Sequence, residues 1–142
     1  MEAKLMSEFN VEKGNFVTAG EASATMKRTL KRLGVSAAVL RRVAVATYEV
    51  ELNLIIHSLG GKLSLLLDDQ NIYVVSQDVG PGIPDIEMAM TEGFSTAPAD
   101  VRNLGFGAGM GLPNMKRNAD DFYIDSAPGQ GTTIRMTFRL AG

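Results

Sequence analysis

Hydrophobic positions change period several times along the chain, and each change predicts an element. From about Gly20, Ala22, Met26, Leu30 and Leu33 recur at helical spacing. Glu21 near the start of that helix and Lys31 and Arg32 near its end suit the helix dipole, and Gly34 supplies a stop. Ser36 is placed to cap a second, longer helix reaching about Ser58, with Val39, Val43, Ala46, Val50 and Leu54 as its buried stripe. Residues 5–11 read as a first strand. Residues 62–68 and 72–78 read as a hairpin turning through Asp69, Gln70 and Asn71. Because Ile72-Tyr73-Val74-Val75 is apolar at consecutive positions, this strand is expected to be central. A short helix is predicted over 84–91, with Pro84 in its first turn, then a mobile stretch over 92–109 and a helix from about Gly111. Strands at 122–126 and 132–140 close the chain. In the last, Ile134, Met136, Phe138 and Leu140 face one way, and Thr133, Arg135, Thr137 and Arg139 the other. The pattern predicts an α+β fold: a two-layer sandwich with a mixed, mostly antiparallel sheet and helices on one face.

Composition narrows the possibilities. The 142 residues fit one domain, 1–142, and a hydrophobic share of 45% can fill a core. A net charge of −2 and a pI near 5.4 give no electrostatic footprint for nucleic acid and no basic patch for a membrane surface. With no cysteine and one histidine, a disulfide framework, a thiolate zinc site and a multi-histidine metal centre are excluded. The charged N-terminal residues lack the apolar core of a signal peptide, and no apolar run has the length of a membrane span. A cytoplasmic protein is the expectation.

The fifteen glycines are clustered, and the clusters adjoin chemistry. On the long helix Glu49 and Asn53 are four residues apart and share a face, with His57 continuing the line. By itself such a pair is most often a solvated helix edge. After the central strand comes Asp78-Val79-Gly80-Pro81-Gly82-Ile83. An Asp at a strand end can accept a hydrogen bond from an exocyclic amine such as N6 of adenine, and the glycines permit a sharp turn and close approach of a ring. A plain turn explains the same residues equally well. Gly105-Phe106-Gly107-Ala108-Gly109-Met110-Gly111-Leu112 enters a helix, which suits a phosphate cradle or simply a flexible loop. It is not a P-loop, since no Gly-Lys-Ser/Thr follows, and the sheet pattern does not fit the dinucleotide fingerprint. Gly129-Gln130-Gly131-Thr132 precedes the last strand, where the threonine hydroxyl can reach a base edge or merely belong to a hairpin.

In this order and on these elements the chain resembles the GHKL ATP-binding superfamily of gyrase, heat-shock chaperone, histidine-kinase and mismatch-repair ATPases, over about residues 20–140. The resemblance implies ATP and Mg²⁺ as cofactors. It implies that Asn53 holds the metal, that Asp78 recognises adenine, and that Gly80 and Gly82 shape the base pocket. Gly105, Gly107, Gly109 and Gly111 would belong to a lid of about residues 92–111. Ile83 and Leu112 would join the nucleotide contacts, with Thr132 backing the adenine. One amide ligand suffices for Mg²⁺, which leans on phosphate oxygens and keeps several waters.

Glu49-Val50-Glu51-Leu52-Asn53, Gly109-Met110-Gly111-Leu112-Pro113 and the runs Glu92-Gly93-Phe94-Ser95-Thr96 and Asn114-Met115-Lys116-Arg117 are similar to bacterial switch protein serine kinases and anti-sigma factors, most of all to the general-stress switch kinase subgroup. That resemblance implies an ATP-dependent protein serine kinase acting on a STAS-domain anti-sigma-factor antagonist, with Glu49 as the catalytic base. Sequestration of a sigma factor and activation of a phosphatase are the alternatives. It also implies a homodimer formed through the first helix and nearby strand. His57 is read as site lining rather than a phosphoacceptor, and Glu51 as pointing away from Glu49.

Overall fold

The computed structural model describes residues 3–12, 14, 19–57, 60–78, 111–126, 129 and 131–140. In chain order these form β1 (Lys4–Val11), α1 (Glu21–Arg32), α2 (Ala37–His57), β2 (Gly61–Leu67), β3 (Asn71–Asp78), α3 (Gly111–Asn118), β4 (Asp121–Ser126) and β5 (Thr132–Arg139). The strands make a five-stranded sheet of order β1-β2-β3-β5-β4, so β3 is central as expected. Where the sequence pattern pointed to a mixed, mostly antiparallel sheet, all four described pairings are antiparallel. The predicted helix over 84–91 and the stretch 92–109 lie outside the described residues.

Strand alternation separates the layers. Leu63 and Leu65 of β2, Ile72 and Val74 of β3, and Ile134, Met136 and Phe138 of β5 are buried against the helices. From the helical side come Met26 and Leu30 of α1, the stripe Val39, Val43, Ala46, Val50 and Leu54 of α2, and Leu112 and Met115 of α3. On the other face Arg135 and Arg139 are exposed, and Arg135 lies over the Tyr123 ring at 5.1 Å.

Two local expectations are corrected. Leu33 continues the helical spacing of Ala22, Met26 and Leu30, but the helix ends at Arg32 and Leu33, its C-terminal cap, is 51% exposed. Val35 packs against the core in its stead, held by its N–H bond to the Leu30 carbonyl at 3.1 Å. The β2–β3 turn runs through residues 68–70 rather than 69–71, because one side chain organises it. Asp68 Oδ1 accepts the N–H groups of Gln70 and Asn71 at 2.8 and 2.7 Å, and its Oδ2 accepts the Tyr73 hydroxyl at 2.7 Å. Asn71 is thereby already the first residue of β3.

The start of α1 is tied to α2 by a buried carboxylate. Glu51, 3% exposed, accepts N–H bonds from Gly20 and Ala22 at Oε2 (3.1 and 3.3 Å) and from Ser23 at Oε1 (3.1 Å). Gly20, at the N-cap, has no side chain with which to satisfy these donors, and the negative charge meets the positive end of the helix. Replacing Glu51 by Ala removes the acceptor of three N–H groups, two of them buried. The substitution is expected to lower unfolding stability by about 3 kcal/mol, given the magnitude of hydrogen bonds to charged groups. Denaturant titration checks this, and a loss below about 1 kcal/mol would contradict the clamp.

Candidate functional site

The site is assembled where β2 begins, β3 ends and β5 begins. Antiparallel register sets Gly61 opposite Asp78 on one side and Gln77 opposite Thr133 on the other. Asp78 is therefore flanked by two neighbouring strands at the sheet end. The Thr132 N–H donates to Asp78 Oδ1 at 2.8 Å. Thr132 Oγ1 is itself held 2.8 Å from Ser126 Oγ, which also donates to the Gly131 carbonyl at 3.1 Å. The threonine hydroxyl thus has a partner on β4, and its backbone N–H is what orients the aspartate.

Two glycines allow this convergence. A Cβ on Gly61 would overlap the Gln77 carbonyl oxygen and lie 2.9 Å from Asp78 Cα. One on Gly131 would overlap the Asp78 carbonyl oxygen and stand 3.2 Å from Oδ1, and the backbone there has φ +79°. Burial raises the Asp78 carboxyl above the usual aspartate value, and the Thr132 N–H bond offsets part of the rise. The result is a half-buried acceptor with one oxygen engaged by backbone.

The second part comes from α2 and α3. Leu54 packs at Gly61, so the last turns of α2 lie beside the sheet end that carries Asp78. Glu49 and Asn53 sit one helical turn apart on α2, both half-buried. Glu49 Oε1 accepts a hydrogen bond from Asn114 Nδ2 of α3 at 3.4 Å, and a Cβ on Gly111 would stand 3.3 Å from Oε2. Burial is the dominant effect on Glu49, raising its carboxyl, with the Asn114 donor lowering it in part. Among the described residues no hydrogen bond engages the Asn53 carboxamide. Nor does any group of three or more His, Cys, Asp or Glu side chains there suit a metal ion. Leu112 is buried in the core behind this junction.

The structure thus brings Asp78, Thr132 and Gly61 together at the sheet end, and Glu49 and Gly111 together at the α2–α3 junction. Gly80, Gly82, Ile83, Gly105, Gly107 and Gly109 lie outside the described residues, as does the His57 side chain. Glu51 points away from Glu49, as expected, though its role as a clamp on α1 was not foreseen. Asn114 was missed as well. It appears in the sequence only within the run Asn114-Met115-Lys116-Arg117, one turn after Gly111, with nothing to single it out.

An antiparallel sheet, a helix carrying Glu and Asn one turn apart, and a strand-end Asp pressed between glycines define an ATP-binding domain of the GHKL class. The chain belongs to the family of histidine kinase-, DNA gyrase B- and HSP90-like ATPases, which it matches over residues 38–142. Within it, the chain is 32% identical over 113 residues to serine/threonine-protein kinase RsbT of Bacillus subtilis (strain 168), covering 77% of this chain and 79% of that protein. It is 34% identical over 126 residues to the anti-sigma F factor of the same organism, covering 84% of this chain and 83% of that one. At these identities it is one of the family of partner-switching serine kinases and anti-sigma factors. Its fold is shared with the RsbU and RsbW domains of Rv1364c from Mycobacterium tuberculosis, at TM-score 0.60 and 17% identity, over 94% of this chain and 32% of that longer one. It is likewise shared with a chain of the SiaB–SiaC complex from Pseudomonas aeruginosa, at TM-score 0.61 and 11% identity, over 94% of this chain and 91% of that one.

Gly131→Ala forces a methyl group into the Asp78 carbonyl at a backbone conformation that suits glycine. It is expected to weaken ATP binding at least about ten-fold by calorimetry, or about 1.4 kcal/mol. Gly129→Ala is the control: φ there is also positive at +77°, but no described residue lies within 4 Å of the added Cβ. Equal losses at both positions would show that close approach to Asp78 is not the cause.

Proposed function

We propose that this chain is an Mg-ATP-dependent protein serine kinase of the partner-switching type, and that Asp78 and Asn53 bind nucleotide while Glu49 serves the chemistry. The observation that carries this reading is the environment of Glu49. A half-buried carboxylate with a raised pKa, one helical turn from Asn53, suits a general base better than a structural charge.

In this reading the free oxygen of Asp78 accepts the adenine N6 amine, while Thr132 N–H fixes its other oxygen. The glycines of residues 105–111 surround the triphosphate. Asn53 fits a magnesium ligand, because its carboxamide is half-buried with no hydrogen-bond partner among the described residues, and a hard cation takes an amide oxygen. When bound, Mg²⁺ neutralises charge on the β- and γ-phosphates. Glu49 takes the proton of the incoming serine hydroxyl as its oxygen bonds to the γ-phosphorus and the bond to the β-phosphate oxygen breaks. The products are a phosphoserine and ADP.

The protein substrate we propose is a serine on a STAS-domain antagonist. The similarity to serine/threonine-protein kinase RsbT supports a serine acceptor on a protein. Similarity to anti-sigma F factors supports a second output, capture of a sigma subunit, in which phosphorylation of the antagonist sets how much of this protein is free to bind sigma. The same nucleotide site serves both outputs. Co-purification with a sigma factor in the presence of ADP or ATP distinguishes them, and no association in either nucleotide would leave the kinase output alone.

Radiolabelled ATP incubated with a STAS-domain protein should label its serine, and Glu49→Gln should lower that labelling at least about a hundred-fold, the range general-base catalysis supplies. Labelling that survives Glu49→Gln would remove the assigned role. The pH dependence has a definite sign. Glu49 is competent when ionised, and burial raises its pKa. The rate should therefore rise with pH through a midpoint above the ordinary glutamate value. A rate without an acid limb, or with its midpoint below the ordinary glutamate value, would contradict the assignment when the protein is folded throughout.

A further inference from the structure

Both oxygens of the Glu49 carboxylate meet the first turns of α3. Oε2 lies where a Cβ on Gly111 would be 3.3 Å away, and Oε1 accepts from Asn114 Nδ2 at 3.4 Å. Asn114 is itself oriented. Arg117, one turn further along the same helix, donates from Nη1 to Asn114 Oδ1 at 3.2 Å. A guanidinium has only donors and an ionised carboxylate only acceptors, so an amide between them has one sensible orientation. Its oxygen faces Arg117 and its nitrogen faces Glu49. Leucine has neither group and aspartate lacks the donor, so this arrangement requires an amide side chain.

We infer that Asn114 is a positioning residue for Glu49, and that the Arg117–Asn114 pair on α3 sets the direction in which the Glu49 carboxylate is presented to the attacking hydroxyl. This inference rests on the kinase reading above and adds a residue to it. The distance of 3.4 Å is at the long end for a hydrogen bond, so the contact orients the carboxylate without locking it. Because α3 follows directly on the glycines of residues 105–109 in the chain, the helix that orients the base is continuous with the segment proposed to surround the phosphates. Asn114 touches neither in this assignment and acts only through Glu49.

Asn114→Leu and Asn114→Asp test this in the full chain. Leucine is a good helix former at a half-buried helical position, so the first variant is expected to fold. The second keeps the acceptor for Arg117 and turns the donor facing Glu49 into a like charge. Both should lower kcat for serine phosphorylation, roughly ten-fold for Leu and more for Asp, with ATP Kd and the KM for the protein substrate within about two-fold of wild type. In a Glu49→Asp background, whose shorter carboxylate no longer reaches Asn114, the Leu substitution should add nothing. Unchanged kcat, or an equal further loss in the Glu49→Asp background, overturns the inference. Carbon-13 NMR of the Glu49 carboxyl in ATP-free protein gives a reading that needs no catalysis. Removing the Asn114 donor should move its titration to higher pH, and an unmoved titration also overturns the inference. Absence of phosphoryl transfer in the wild type strikes the kinase reading alone, and the NMR titration then decides the contact.

Discussion

The Thr132 N–H bond to Asp78 is the interaction on which the site depends, because it exists only if the sheet is assembled in one register. A strand slip of one residue would turn every side chain of β5 to the opposite face. The core alternation of Ile134, Met136 and Phe138 therefore fixes the register, and the register delivers the Thr132 amide to the aspartate. Gly61 and Gly131 complete the convergence by leaving room for the Asp78 backbone between its neighbours. Hydrophobic patterning along a strand is in this way converted into the placement of one polar atom at its end.

Three carboxylates near this junction differ in what their surroundings make of them. Glu51 is buried and saturated by N–H donors at the start of α1, so it serves as a clamp between helices. Asp78 has one oxygen held by the Thr132 backbone N–H, which offsets part of the rise that burial gives its pKa. Glu49 is only half-buried, with one amide donor against it and burial raising its pKa, a state suited to exchanging a proton. Alternate positions on α2 project in widely different directions, so Glu49 and Glu51 can serve unrelated ends two residues apart.

Most of the fold was legible in the sequence because periodicity is a local signal. The α2 stripe from Val39 to Leu54, the alternation of β5 and the position of β3 at the centre all follow from it. Leu33 misled because helical spacing continued one residue beyond the helix, where the chain turns and Val35 takes over the packing. Glu49, Asn53 and Asp78 became candidates in the sequence through their order beside the glycines. Glu51 and Asn114 did not, since the partner of each lies far away in sequence: Glu51 serves residues 28–31 positions earlier, and Asn114 meets a carboxylate 65 positions away. Nothing in Glu-x-Glu-x-Asn tells which carboxylate will be buried until α1 is docked against α2.

In the proposed function one junction separates nucleotide binding from chemistry. Calorimetric titration of Mg-ATP into wild type, Asn53→Ala, Asp78→Asn and Glu49→Ala tests it most directly. The account predicts heat-detected binding by the wild type, its loss in the Asn53 and Asp78 variants, and near-wild-type affinity in the Glu49 variant. Binding that survives Asp78→Asn unchanged, or disappears with Glu49→Ala, would contradict the division of roles.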